Sequence, residues 1–478
     1  MNWKPLLLAC LVAISPVWAE GLPDLGDSSS SDLSPQMERR FGESVMREIR
    51  YRDPAYVGDA EIQAYLSDLG GRLAAQAQGP RPEFEFFAVR DPTLNAFAMP
   101  GGFIGVHTGL ILAAQNESEL AGVLAHEIAH VTQRHIARMV GQQKTASLTS
   151  LAAIVVAILA ARSNSQVGQA AAAAGQAVGI QSQLNYTRDF EREADRIGMQ
   201  TLDEAGYDVR GMAAFFGRLQ QFGRLYENNA PAYLRTHPLT TERISDMDNR
   251  AEQKPYRQVP DSLSFQLVRA KLRAEQGTPA EAVADLQAVV RDRKYASEAA
   301  ARYGLARAYL RAKDYPAADQ ELAALRRLAA ASPMVENLAG ELRLAQGDAA
   351  GAVKVYREAR QRYPRERALI YGQAEALLAA GRAPEAQQVA GAELRAFPDD
   401  PRLWELQARS YAAMGKRALQ HRSRAEVYAI QGQLSGAIEQ LQIAQKAGDA
   451  DFYENSAVDA RLRELRAAQA EEAKNKRE

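Results

Sequence analysis

The chain has 478 residues, 46% of them hydrophobic, with a net charge of -1 from 58 basic and 59 acidic side chains and a single cysteine. Such a length suits two folded units, and the balanced charge carries no electrostatic footprint of a nucleic-acid partner. One cysteine excludes an intrachain disulfide and any multi-thiolate metal site.

Lys4, the apolar run 6–14 and Val17-Trp18-Ala19 before Glu20 read as a cleavable signal peptide over residues 1–19. The run is too short to span a bilayer. Leu7-Leu8-Ala9-Cys10 loosely mimics a lipoprotein box, but too little apolar sequence precedes the cysteine. Cleavage after Ala19 leaves a mature chain without cysteine, and export of this kind fits a bacterial periplasm. Residues 20–35, with a serine run at 28–31, read as a flexible leader.

From Met37 to Ala77 the pattern is helical. Three strands follow in the pattern, at 84–89, 95–99 and 103–106, the last two separated by Pro100-Gly101-Gly102. A helix opens near Asn116 or Ser118, with Glu117 and Glu119 suiting the positive end of its dipole. It carries His126-Glu127-Ile128-Ala129-His130. Positions four apart share one helix face, so both imidazoles can hold one zinc ion, and Glu127 can take a proton from zinc-bound water. His135 falls on the far side of the helix from both, cannot join them on one face, and reads as a surface residue. Gln133 and Ile136 occupy the positions where the metzincin pattern needs glycine and histidine. His107 reads as structural, and His421 is remote.

Residues 148–161 are strongly apolar but too short to cross a membrane. They read as a buried core helix, or as a hairpin that covers the site or touches a membrane peripherally. The Ala-, Gly- and Gln-rich stretch 166–183 suits a loop or lid. Beyond it, Gly347, Gly381 and Gly415 recur every 34 residues, with Lys313 one period earlier. Ala318, Ala352 and Ala386 keep the same phase, as do Pro364 and Pro398, and the small residues Ala306, Gly340, Ala374 and Ala408. That is the tetratricopeptide period, two helices per repeat, stacking into a surface for protein partners. The expected division is a metallopeptidase domain over 36–258, repeats over 262–466 and a disordered tail over 467–478. The expected fold class is mainly α: an α+β zincin-type domain with a small sheet, then an α-solenoid.

A third metal ligand must come from elsewhere. In Arg188-Asp189-Phe190-Glu191-Arg192-Glu193-Ala194-Asp195, residues 191 and 195 share a helix face, so one carboxylate can bind the metal while the other supports a ligating imidazole. The bland alternative is an exposed helix with local ion pairs.

HEIAH, this acidic segment and Thr236-His237-Pro238-Leu239-Thr240-Thr241-Glu242-Arg243-Ile244 together resemble the zinc metallopeptidase family of HtpX and the CAAX prenyl proteases. The resemblance implies that Glu191 is the third ligand to one Zn²⁺, with Asp195 as its companion carboxylate or a proton donor. It also implies that Asn95, Ala96, Phe97, Ala98 and Met99 line the cleft. His237 then becomes a candidate fourth ligand that takes the water's position and holds the site closed; the bland alternative is a helix-start histidine with Pro238 as first-turn residue. Arg243 can reach substrate or a carboxylate, or form a surface pair. A peptide can pair with an edge strand at 95–99 or 103–106.

Signal peptide, peptidase and repeats together resemble exported members of this family. They imply a periplasmic zinc endopeptidase and chaperone that degrades misassembled outer-membrane proteins or promotes their assembly. The repeats would bind unfolded outer-membrane proteins and the β-barrel assembly machinery. The competing readings are a mainly non-proteolytic repeat scaffold with a self-inhibited metal site, and a zinc hydrolase of cell-wall amide bonds.

Overall fold

In the computed structural model the described residues are 33–141, 188–225, 232–328 and 332–475. The signal peptide, the apolar 148–161 segment and the 166–183 stretch lie outside them.

Ser34 caps α1 (Pro35–Arg52) by accepting from the Met37 amide, and Pro35 supplies a first-turn residue that needs no donor. The leader expected over 20–35 therefore ends early, since Leu33 is already buried. Asp53-Pro54 divides the helical stretch expected over 37–77, because proline disfavours helix in the residue before it. A second helix, α2 (Ala60–Gln76), restarts from Asp59, whose carboxylate accepts from the Glu61 and Ile62 amides.

Strands β1 (Glu85–Val89), β2 (Ala96–Met99) and β3 (Phe103–His107) form one sheet in the order β1-β3-β2. β1 runs parallel to β3 and β2 antiparallel to it. The turn between β2 and β3 needs its glycines. Gly101 and Gly102 take φ of +82° and +92°, and a Cβ on Gly101 would lie 2.7 Å from the Arg39 Cα. Arg39 locks this turn by donating to the carbonyls of Gly101 and Glu83.

After the short α3 (Thr108–Ala113) comes α4 (Glu117–Thr132), whose first turn is capped by the Glu119 amide donating to the Asn116 side-chain oxygen Oδ1. Apart from Val131 this helix is buried all round, as an axial helix must be. Two glycines let its neighbours approach: a Cβ on Gly122 would lie 2.8 Å from Met212, and one on Gly198 would lie 3.0 Å from the His126 backbone nitrogen. α5 (His135–Gly141) follows at once. The described residues of the domain continue with α6 (Arg188–Glu204), α7 (Arg210–Leu225), α8 (Ala232–Thr236) and α9 (Thr241–Glu252).

The remaining described helices are α10 (Leu263–Ala274), α11 (Pro279–Arg291), α12 (Glu298–Arg311), α13 (Tyr315–Leu328), α14 (Pro333–Ala345), α15 (Ala349–Arg362), α16 (Arg367–Ala379), α17 (Ala383–Leu394), α18 (Pro401–Ala413), α19 (Arg417–Ile430), α20 (Leu434–Gln445) and α21 (Phe452–Asn475). They are repeat hairpins. The 34-residue phase has a physical cause: Lys313, Gly347, Gly381 and Gly415 all take positive φ, from +61° to +82°, where the first helix of a hairpin ends. Ala318, Ala352 and Ala386 are fully buried where helices cross. The tail expected to be disordered from 467 instead continues α21 to Asn475. Val458, Leu462 and Leu465 pack under the last repeat, and the Ala- and Glu-rich sequence that follows favours helix.

The two halves share a core, with Phe265 of α10 packed on Tyr65 of α2. At their junction the Glu117 carboxylate accepts from the Ser262 amide and hydroxyl and from the Tyr65 hydroxyl. Buried Lys271 pairs with Asp59 and Glu61, and Asn337 donates to Glu61. The array also returns to α1, where Gly432 stands against Arg47. Among the described residues no helix is long and apolar enough to cross a membrane.

Candidate metal centre

His126 and His130 project from one face of α4 toward Glu191 on α6 and His237, which follows α8 directly. All four are buried, and one donor atom from each lies within 4.8 Å of the others. His126 Nε2 is 3.0 Å from His130 Nε2 and 3.5 Å from His237 Nδ1. Glu191 Oε1 is 3.0 Å from His237 Nδ1 and 3.6 Å from His130 Nε2, and Glu191 Oε2 is 3.6 Å from His126 Nε2. Tetrahedral bonds of the length zinc makes to nitrogen and oxygen hold donors ~3.3 Å apart, so the spacing and the donor chemistry both fit a divalent metal. Burial, reinforced by His126 and His135, holds the His130 pKa well below the ordinary value, so it presents a neutral lone pair. Burial opposes ionisation of Glu191, but His237 and Arg243 outweigh it and lower its pKa.

Glu127 lies beside this cluster. Neither of its buried oxygens makes a close hydrogen bond, and its polar neighbours are the Ala98 amide and His237 Nε2, 3.6 Å from Oε1. Burial pushes its pKa up, partly countered by His237 and His126, which suits a group that must accept and release a proton.

Arg243, left open by sequence, is buried. Its Nε and Nη2 donate to the two Asp195 oxygens at 2.7 and 2.8 Å. Its Nη1 lies 2.8 Å from Glu191 Oε2 and 2.7 Å from the Pro238 carbonyl. Asp195 Oδ1 in turn stands 3.0 Å from His126 Nδ1. One guanidinium thus holds the two buried carboxylates of α6, Glu191 and Asp195, and the turn carrying His237.

His135 corrects the sequence reading of a surface residue. It is fully buried, with Nδ1 2.8 Å from His130 Nδ1 and Nε2 3.2 Å from Glu193 Oε2. Its ring stacks on Phe190 at 4.7 Å, and burial lowers its pKa to about 4. The helical angle does not carry as far as His135 because α4 stops at Thr132: Arg134 takes φ +52°, and the chain turns back. Nothing in the local residue types announces that break. His107 is buried against Thr93, and His421 bonds Gln440 in the repeats, far from the site.

Strand β2 carries Ala96, Phe97, Ala98 and Met99, all buried, and pairs only with β3 among the described residues. The His107 amide donates to the Asn95 carbonyl. Alternation along an antiparallel ladder then turns the backbone groups of Ala96 and Ala98 to the open side, toward Glu127. The alternative edge expected at 103–106 is excluded: β3 is the central strand, with both sides paired.

The profile of Peptidase family M48 matches residues 60–251, and tetratricopeptide repeat profiles match residues 267–333 and 343–410. The beta-barrel assembly-enhancing protease of Escherichia coli (strain K12) is 33% identical over 477 residues, covering 98% of this chain and 97% of that protein. A Vibrio cholerae relative is 41% identical over 318 residues, 66% of this chain and 65% of its own length. The mitochondrial metalloendopeptidase OMA1 of Schizosaccharomyces pombe is 30% identical over 224 residues, 46% of this chain and 62% of that protein.

Proposed function

The chain belongs to peptidase family M48 and is a metalloendopeptidase with tetratricopeptide repeats, and from that premise we propose that it is a periplasmic zinc enzyme that cleaves misassembled outer-membrane β-barrel proteins and assists the assembly of others. The observation that carries the chemistry is the buried four-donor cluster with Glu127 beside it. His126, His130 and Glu191 would hold Zn²⁺, which when bound acidifies a water and polarises the scissile carbonyl.

Within the chain, each group has a distinct task. The Glu127 carboxylate takes the proton of the attacking water and passes it to the leaving amine. Asp195 orients His126 through Nδ1, and Arg243 keeps Asp195 and Glu191 ionised and in place. The open side of β2 offers the Ala96 and Ala98 backbone to an extended peptide, which places a peptide bond next to Glu127. Unassembled β-strands of outer-membrane proteins have the extended form this edge takes. The repeats would hold such chains or the assembly machinery.

His237 is the regulatory element in this reading. Its Nδ1 is near enough to Glu191 and His126 to complete a four-ligand set, and a fourth protein ligand removes the position a substrate water needs. The enzyme then rests closed and opens when α8 moves. A scaffold without proteolysis is not favoured, because the similarity to named proteases spans the whole chain.

Zinc content and cleavage of an unfolded outer-membrane protein test this function together. Glu191→Gln should lower bound zinc below one per chain, and undiminished stoichiometric zinc would refute the ligand assignment. His237→Ala should keep zinc and raise cleavage; a fall in cleavage with zinc retained would give His237 a positive catalytic role instead.

A further inference from the structure

The two histidines of α4 are supported differently. His126 Nδ1 has a carboxylate, Asp195, at 3.0 Å. His130 Nδ1 instead faces another imidazole, with His135 Nδ1 at 2.8 Å. Two ring nitrogens at that distance share one hydrogen, and the surroundings decide which ring carries it. The Glu193 carboxylate is an acceptor, and Arg138 Nη1 donates to its Oε2 at 2.8 Å. His135 Nε2, 3.2 Å from the same oxygen, must therefore carry a hydrogen. A second hydrogen on His135 Nδ1 would force the His130 hydrogen onto Nε2, into the middle of the four-donor cluster. The consistent arrangement is one-directional: His130 Nδ1 donates to His135 Nδ1, and His135 Nε2 donates to Glu193. The lone pair of His130 is then left on Nε2, the atom that faces His126 and Glu191.

The backbone around His135 is shaped for this contact. Arg134 sits at φ +52°, a left-handed conformation that non-glycine residues rarely adopt. Its side chain is tied down to the Leu33 carbonyl and to Glu38. That turn is what returns His135 to the metal side of α4. The Phe190 ring then fixes the imidazole plane, stacked at 14°, and Arg138 lies over Phe190 from its own helix.

We infer that His135 is a positioning residue that sets the tautomer of His130 for metal binding, with Glu193 and Arg138 as its outer anchor. The inference rests on the metallopeptidase reading. It extends the metal centre by a second imidazole to a carboxylate at the protein surface, where Glu193 is 26% exposed.

Metal affinity tests it, with Co²⁺ titrated into the metal-stripped full-length protein against a chelator and followed by its visible absorption. His135→Phe keeps the stack on Phe190 but loses the acceptor, and should weaken Co²⁺ binding about 10–100-fold. His135→Asn, whose Oδ1 takes the place of Nδ1, should recover most of that loss. Glu193→Ala, at the rim, should weaken binding less than His135→Phe does. If the ring matters only for packing, the order reverses, with Phe binding tightly and Asn weakly; that order overturns the inference. Should His135→Phe not fold, unchanged affinity in Glu193→Ala overturns it alone. A wild-type protein that binds no Co²⁺ removes the metal reading and this inference with it, whereas wild-type binding matched by His135→Phe removes only the inference.

Discussion

Arg243→Met is the most searching perturbation of the site, because the guanidinium is 2% exposed and serves two buried carboxylates at once. Methionine fills much of the volume but donates nothing. Asp195 loses both guanidinium donors and keeps His126 Nδ1 at 3.0 Å, Glu191 loses the guanidinium beside it, and the Pro238 carbonyl loses its Arg243 donor. Breaking a buried pair by removing one side costs about 3–5 kcal/mol. For a unit of 150–250 residues each kcal/mol moves Tm by about 2–4 °C, so the expected drop is about 6–20 °C. The shared core with the first repeats enlarges the melting unit and favours the lower end. A bound cation would neutralise Glu191 in place of the guanidinium, so the drop should be large in chelator and clearly smaller with zinc. Scanning calorimetry of both proteins under both conditions measures this. A drop below about 2 °C in chelator, or an equal drop with and without zinc, would show that Arg243 does not hold the two carboxylates as described.

Glu127→Gln should keep zinc and lose about 10²–10⁴-fold in cleavage rate, since it removes the proton acceptor without touching a ligand. Assembly defects fully rescued by this variant in cells would separate the proposed assembly-assisting role from proteolysis. Gly198→Ala pushes a methyl against the His126 backbone, at 3.0 Å, and should cost about 1–3 kcal/mol while weakening metal binding; unaltered metal affinity would mean that α6 and α4 can part without moving the donors. Lys313→Gly relieves a φ of +61° at an exposed turn, which costs about 1–2 kcal/mol in a non-glycine residue. Part of that gain is offset by the greater freedom of glycine when unfolded, so a modest rise in repeat stability is expected in urea titration. A fall would show that the lysine side chain contributes more than its backbone strain.

Much of this protein was legible because its signals are local. HEIAH works through the angular spacing of one helix, and residues 191 and 195 through the same rule on another. The 34-residue phase is visible because each hairpin needs a left-handed residue in the same place and a small residue at the same crossing. Strand positions followed from short apolar runs and from the Pro100-Gly101-Gly102 break. Each of these is a constraint between residues a few positions apart, or one such constraint repeated.

What escaped depends on chain reversals and on partners far along the sequence. His135 looked outward only while α4 was assumed to continue, and a single left-handed residue, Arg134, overturned that angle. Strand order determined that β2 is an edge and β3 the centre, and a short apolar run reads the same for both. Arg243 meets Asp195 across 48 positions, and Lys271 meets Glu61 across 210. The sequence by itself determined the helix that bears the two histidines, the period of the repeats and the kinds of ligand available. Tertiary structure alone decided which carboxylates and imidazoles meet, because the pairing of buried charges is settled by how helices pack, and no local periodicity records that.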